Sequence, residues 1–201
     1  MPTPDPLNAD SRTRLVHAAA AAFRREGYRA SIDRIAQQAA VCRQTVYNHF
    51  ATKEDLFSEV AHLAARELAT SLEGEVTDSA TMRARLEAFA LRVQQRLLSP
   101  EGLAIYRTIA AEVPRLPALG QAFFDKGPRQ TMAALRDFLQ RAMDAGLLRA
   151  DDPQWAAERL MGLLTGFEHT KRLFCPNTAD EPLPDARAQR CVDDFLRIYC
   201  P

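Results

Sequence analysis

Residues 31–57 constrain what this chain can fold into more tightly than any other stretch. They hold two short amphipathic periods separated by a break, followed by the start of a longer one. Ser31 can cap the first period, because a hydroxyl there accepts from backbone N–H groups that have no partner inside a helix. Ile32, Ile35, Ala36 and Ala39 then fall at helical spacing on one apolar face. The second helix is expected from about Cys42 to His49, with Val41, Val46 and Phe50 as its buried anchors. At roughly 100° per residue, Arg43, Gln44, Tyr47 and Asn48 lie on the opposite, outward arc. Thr52 followed by Asp55 is a variant of the capping box and starts a third helix. Two helices joined by a tight turn, the second with a polar outer face, form a helix-turn-helix that can enter a DNA major groove.

The rest of the chain also reads as helix. Residues 10–26 carry an inner stripe of Leu15, Ala18, Ala19, Ala22 and Phe23, with Gly27 as the stop. A long helix is expected over 52–73. Residues 79–98 place Met82, Leu86, Phe89, Val93 and Leu97 on one face. Ser99-Pro100 and Asp152-Pro153 are cap-plus-proline starts. Pro114, Pro117 and Gly127-Pro128 punctuate the middle, and Gly146 closes a helix at about Ala145. The last helices are expected at 153–173 and 185–199, separated by a loop with Pro176, Pro182 and Pro184. No alternating strand or hairpin signal is present. The expected fold class is all-α: an N-terminal three-helix helix-turn-helix domain, then a larger helical bundle. The expected division is a mobile arm at 1–9, broken by prolines, a DNA-binding domain at 10–57 and a second domain at 58–201.

Composition narrows the function classes. The 201 residues carry 26 Lys and Arg against 26 Asp and Glu. A balanced chain is no nonspecific polycation, so DNA affinity has to come from local placement of charge. No apolar run reaches the ~20 residues of a membrane span, and no signal-peptide pattern is seen, so a cytoplasmic location is expected. Cys42, Cys175, Cys191 and Cys200 are scattered, without metal-ligand spacing. The plain reading is free thiols. Cys42 admits a second one, because a helix start beside Arg43 favours a reactive thiolate whose oxidation would weaken DNA binding. His17, His62 and His169 are isolated, so neither a metal site nor a cofactor is expected. Glu168 and His169 are adjacent on a helix and diverge by roughly 100°, which argues against an acid–base pair.

The run Ile35-Ala36, Ala39-Ala40-Val41, Val46-Tyr47-Asn48-His49-Phe50 and Lys53-Glu54-Asp55-Leu56 resembles the DNA-binding signature of TetR/AcrR-type transcriptional regulators. With Ala18–Phe23 and Gly27-Tyr28 the resemblance covers roughly residues 10–60. It departs from the family at Ala40, where Gly is usual in the turn, and at Cys42, where Ser is frequent. Ala in a turn that favours positive φ costs about 1 kcal/mol. Tyr106-Arg107, Ala111-Glu112, Pro114, Pro117, Gly146-Leu147-Leu148, Asp152-Pro153 and Leu163-Leu164-Thr165-Gly166 resemble the ligand-binding domain of the AefR-like branch. That resemblance implies a bundle with a small-molecule cavity, whose last two long helices pair with a second subunit.

Arg43 and Gln44 are the expected base readers, since Arg pairs bidentately with guanine and Gln reaches adenine. By resemblance Thr45, Tyr47, His49 and Lys53 hold phosphates, Asn48 serves either class, and Ser31 joins the DNA-contacting set. For the ligand, Tyr106 and Phe167 are the candidate walls and His169 the polar anchor. Arg107 and Glu112 fit an internal ion pair or polar ligand contacts. Gly162 and Gly166 fit a dimer seam or packing inside one bundle. The expected function is a homodimeric, ligand-responsive transcriptional regulator of the repressor kind on a pseudo-palindromic DNA operator, released by an apolar or amphipathic effector. The rivals are a DNA-binding regulator governed by redox or a protein partner, and an all-α enzyme. The second lacks any nucleophile–base, phosphate-loop or metal motif, so no enzyme activity is expected.

Overall fold

Capping chemistry sets most of the helix boundaries. The computed structural model describes residues 6–178, 181–184 and 186–201, and every regular element among them is helical. Helix α1 spans Pro6–Glu26. It starts ahead of the expected Asp10 because proline is tolerated in a first turn, where its missing N–H would have no partner anyway. Residues 6–9 of the expected arm are therefore helical, and residues 1–5 lie outside the described residues. Next come α2 (Ile32–Gln38), α3 (Arg43–His49) and α4 (Lys53–Ala69). Thr52 and Asp55 form the reciprocal capping box at the start of α4, with both N···O distances 3.0 Å. The end of the expected 52–73 helix tightens into a 3₁₀ turn at Thr70–Leu72.

Helix α5 is Ser79–Leu97, capped by Asp78, which accepts from the Thr81 backbone N–H at 2.8 Å. Helices α6 (Pro100–Glu112), α7 (Pro117–Lys126) and α8 (Pro128–Asp144) follow. Helix α9 is Pro153–Phe174, with Asp152 accepting from the N–H of Gln154 and Trp155. Helix α10 is Arg187–Tyr199; the expected start of this helix at residue 185 lies outside the described residues.

The chain forms two compact units. One comprises residues up to Ala64 together with Ala104–Gly127. Its core joins Leu15, Phe23, Ile35, Val46, Phe50, Leu56 and Phe57 to Ile109 and Leu119. Phe57 meets Phe23 edge-on at 5.0 Å between ring centroids. Each such buried side chain contributes about 1.5–3 kcal/mol, so the two short helices hold their angle by packing, because seven residues are too few to be stable alone. The helix-turn-helix unit thus includes a segment far downstream in sequence, 104–127.

The other unit comprises Ala65–Leu103 and Pro128–Pro201. Helices α5, α8, α9 and α10 close around Leu86, Phe89, Phe138, Leu160, Leu164, Val192 and Phe195, all fully buried. Inside α9 the backbone breaks at Gly166, with φ 45° and ψ −147°, so the expected uninterrupted helix is kinked there. Carbonyls beside the break find donors on other helices. The Cys191 thiol donates to the Leu163 carbonyl at 3.2 Å. The buried Gln94 amide and the Arg187 guanidinium both donate to the Leu164 carbonyl at 3.2 Å. Without them, carbonyls freed by the kink would lose hydrogen bonds in a dry core.

Candidate nucleic-acid interface

The turn between α2 and α3 is fixed from both sides. At its start Ser31 caps α2, accepting from the Asp33 N–H at 3.2 Å. At the end of α2 the Val41 N–H returns to the Ala36 carbonyl at 3.0 Å and the Ala40 N–H to Gln37 at 3.1 Å. This is the Schellman arrangement, which places one residue in the left-handed region. That residue is Ala40, with φ 54°, the one non-glycine at positive φ among the described residues. Arg14 on α1 donates from Nε to the Ala39 carbonyl at 3.1 Å and holds the turn against the first helix.

Helix α3 is anchored by buried Val46 and by buried Phe50 just beyond its end. Arg43, Gln44, Tyr47 and Asn48 are exposed on the opposite arc, as the spacing predicts. Thr45 and His49 are half-buried at its margins, and Ser31 is exposed. The outward side chains are already engaged with one another. Gln44 donates to Asn48 at 3.0 Å. Arg43 Nη1 donates to both carboxylate oxygens of Asp33, at 3.1 and 3.2 Å, and Nη2 lies 3.5 Å from the Tyr47 hydroxyl. The Arg43 guanidinium also lies over the Tyr47 ring, 5.6 Å from its centroid. Contact with the Tyr47 hydroxyl and then with Asp33 raises the pKa of that guanidinium. Thr45 Oγ1 lies 3.1 Å from the Cys42 thiol; this hydrogen bond, foremost, lowers the thiol pKa.

His49 and Lys53 are held from the first helix and from the turn that follows it. His49 Nε2 is 2.8 Å from the hydroxyl of buried Ser11. Lys53 Nζ sits 4.7 Å from the centre of the Tyr28 ring, and burial lowers its pKa despite Glu54 and Glu112 nearby. The Tyr28 hydroxyl donates to Glu54 at 2.5 Å. Burial, then this bond, raises the phenol, while the same bond holds the Glu54 carboxyl below its ordinary value. Asp33, Ser11, Tyr28 and Glu54 are the members of this surface to which the sequence assigned no role. For Asp33 a signal exists: it occupies the first turn of α2, ten positions ahead of Arg43, across a turn that folds the two helices together.

The three candidate ligand residues are not gathered in either unit. Tyr106 belongs to the first, half-buried and edge-on to Phe123 at 5.8 Å, with its phenol pushed up by burial. Phe167 and His169 belong to the second. Phe167 is 81% exposed, whereas burial lowers the pKa of His169. Among the described residues no group of three or more His, Cys, Asp or Glu is placed to hold a metal ion. No helix among them is long and apolar enough to cross a membrane.

Comparison with known proteins agrees with this geometry. Residues 15–60 match the tetR family of bacterial regulatory proteins, and residues 84–201 match the C-terminal domain of AefR-like transcriptional repressors. No curated protein sequence matches the chain. Among solved structures, a TetR-family transcriptional regulator from Mesorhizobium loti superposes with a TM-score of 0.76 at 28% identity, covering 98% of this chain and all of that one. The flavonoid-responsive regulator FrrA superposes with a TM-score of 0.66 at 27% identity, covering 96% of this chain and 98% of its own. SmeT, the repressor of the Stenotrophomonas maltophilia multidrug efflux pump SmeDEF, gives 0.58 at 25%, covering 96% and 93%.

Proposed function

Because this chain belongs to the TetR family of transcriptional regulators, with a C-terminal domain of the AefR-like repressor type, we propose that it reads its operator with α3 and responds to a small molecule as a homodimer. The observation that carries the reading is the polar arc of α3, set opposite buried Val46 and Phe50. Arg43 and Gln44 reach base edges, and Asn48 serves bases or phosphates. Thr45, Tyr47, His49 and Lys53 position the protein on phosphates, which fixes register without reading sequence, and Ser31 joins the DNA-contacting set.

A seven-residue helix makes too few contacts for operator affinity, so two copies act together on half-sites roughly 34–36 Å apart, or a multiple of that. The seam lies on α9 and α10. Phe167 and Phe174 are 81% and 76% exposed, with Trp155 and Ile198 also exposed on the same two helices. Phe167 and Phe174 stand seven positions apart beyond the kink and so share one helix face, and apolar side chains grouped in water favour a covering surface. A Cβ added at Gly162 meets nothing within 4 Å, so that glycine serves no packing inside one chain, which supports its place at a seam; Gly166 is required by its positive φ.

The effector binds within residues 79–175 and lowers operator affinity by favouring a conformer that no longer fits successive grooves. It must bind the two conformers unequally, and such coupling is typically about 1–3 kcal/mol. FrrA is flavonoid-responsive, and SmeT represses a multidrug efflux pump. By analogy the effector class here is an apolar or amphipathic molecule. Melting the protein with a panel of such compounds, then measuring operator affinity with any that stabilise it, tests the proposal. A compound that raises the melting temperature yet leaves DNA affinity unchanged refutes the coupling.

A second reading has its own observation. The Cys42 thiol is exposed at the start of the reading helix and its pKa is lowered by Thr45. Oxidation there would disturb the DNA-facing arc without any effector. Mild peroxide that leaves DNA affinity unchanged removes that reading.

A further inference from the structure

We propose that Asp33 is a positioning residue for base reading: it grips Arg43 through Nη1 and so presents the remaining edge of the guanidinium, Nε with Nη2, to a base. The inference rests on the reading that Arg43 contacts bases.

The geometry begins with the backbone. Ser31 binds the main-chain N–H of residue 33, which fixes Asp33 on the first turn of α2 independently of its side chain. From there both carboxylate oxygens converge on one nitrogen, Arg43 Nη1, at 3.1 and 3.2 Å. Tyr47 limits the guanidinium from the other side, by its hydroxyl 3.5 Å from Nη2 and by its ring. A guanidinium carries five N–H groups in a rigid fork. With Nη1 committed to Asp33 and only a long bond from Nη2 to the Tyr47 hydroxyl to exchange, the parallel pair on Nε and Nη2 can turn to a base, and two parallel donors are what guanine O6 and N7 accept. The Asp33 and Arg43 side chains are 64% and 60% exposed. Pairs so exposed contribute little to stability. A carboxylate beside DNA also opposes phosphate binding. The helix dipole favours a carboxylate in the first turn of α2, but it does not require both oxygens to turn onto Arg43 Nη1, whereas aiming a reader does.

A long, unheld Arg can swing to any phosphate. Held by Asp33, it is kept from nonspecific phosphates and has less freedom to lose on a matching base. Removing the charge therefore has opposite effects on the two kinds of DNA. The test uses the full chain and three duplexes: one enriched by the native protein from a random-sequence pool, the same duplex scrambled, and a set of single-base variants of the first. Asp33→Asn should weaken the enriched duplex about twofold to fivefold and tighten the scrambled one. It should also flatten preference at the base position that Arg43→Ala abolishes. In an Arg43→Ala background Asp33→Asn should change preference no further. The Ser31 cap bonds main chain and is kept, so the melting temperature should fall only slightly, by the loss of one charge beside the helix dipole. If Asp33→Asn tightens both duplexes equally and leaves preference intact, Asp33 merely competes with DNA and the inference is wrong. An Arg43→Ala variant that keeps every preference overturns the base-reading role, and the inference with it. A preference lost in Arg43→Ala but kept in Asp33→Asn overturns the inference alone.

Discussion

The outward face of α3 and the outward face of α9 with α10 are both incomplete, but in opposite senses. On α3 the outward side chains are polar and find polar partners on α3 or beside it: Arg43 with Asp33 of α2, Gln44 with Asn48, and half-buried Thr45 with Cys42 at the helix start. Such a face has no free-energy reason to be covered, and it exchanges these bonds only for a partner rich in acceptors. On α9 and α10 the exposed large apolar groups are Phe167, Phe174 and Ile198, with Trp155 under the Arg159 guanidinium, and apolar surface of this kind gains by leaving water. One face suits nucleic acid and the other a second apolar surface. Two of the positive-φ positions, Ala40 and Gly166, repeat the contrast. Ala40 bends the chain inside a local turn, whereas Gly166 breaks a helix whose loose carbonyls are met by donors from α5 and α10.

The largest effect is expected at the apolar face. Replacing Phe167 and Phe174 together by Asp should weaken self-association by about a hundredfold or more, given about 1.5–3 kcal/mol per buried aromatic. Sedimentation equilibrium measures it, and operator affinity should fall in parallel. Gly166→Leu is a poorer probe of the seam, because a Cβ at φ 45° strains the kink itself. A variant that stays dimeric would move the seam elsewhere and break the contrast.

On the polar face, Arg43→Ala should cost about 1–3 kcal/mol on the enriched site and relax one base position per half-site. Lys53→Ala should weaken all sequences alike and reduce the slope of log affinity against log salt by about one. Titrations of both variants across salt concentrations separate reading from positioning. Equal changes in base preference would erase the distinction.

A smaller change is expected in the turn. Ala40→Gly relieves a positive φ and should stabilise the protein by about 0.5–1 kcal/mol in urea unfolding, with the gain partly offset by the freer unfolded chain. The smallest effect concerns pH. Burial lowers the pKa of His169, so as pH falls through the ordinary histidine range the unfolded chain takes up the proton first. Stability is full above about pH 6.5 and declines below it. In His169→Gln that part of the decline should be absent from melts between neutral and mildly acidic pH.

How much was legible follows from the same contrast. The caps at Ser31, Asp152 and the Thr52–Asp55 pair, the turn at Ala40 and the arc of α3 are local, set by residues within one or two turns. Sequence spacing shows them directly. The Gly166 kink is not local: it depends on Gln94, Arg187 and Cys191, which reach α9 only after the bundle closes. The placement of 104–127 with the helix-turn-helix unit is likewise tertiary. Asp33 falls between the two cases, since its partner Arg43 lies beyond a turn whose geometry was legible but whose side-chain pairing was not.

If two copies of α3 read two half-sites, selection from a random-sequence duplex pool with the full chain should enrich an inverted repeat whose half-site centres lie about 10–10.5 base pairs apart, or a multiple of that. Enrichment of a single unrepeated site, or no enrichment at all, would contradict that paired reading.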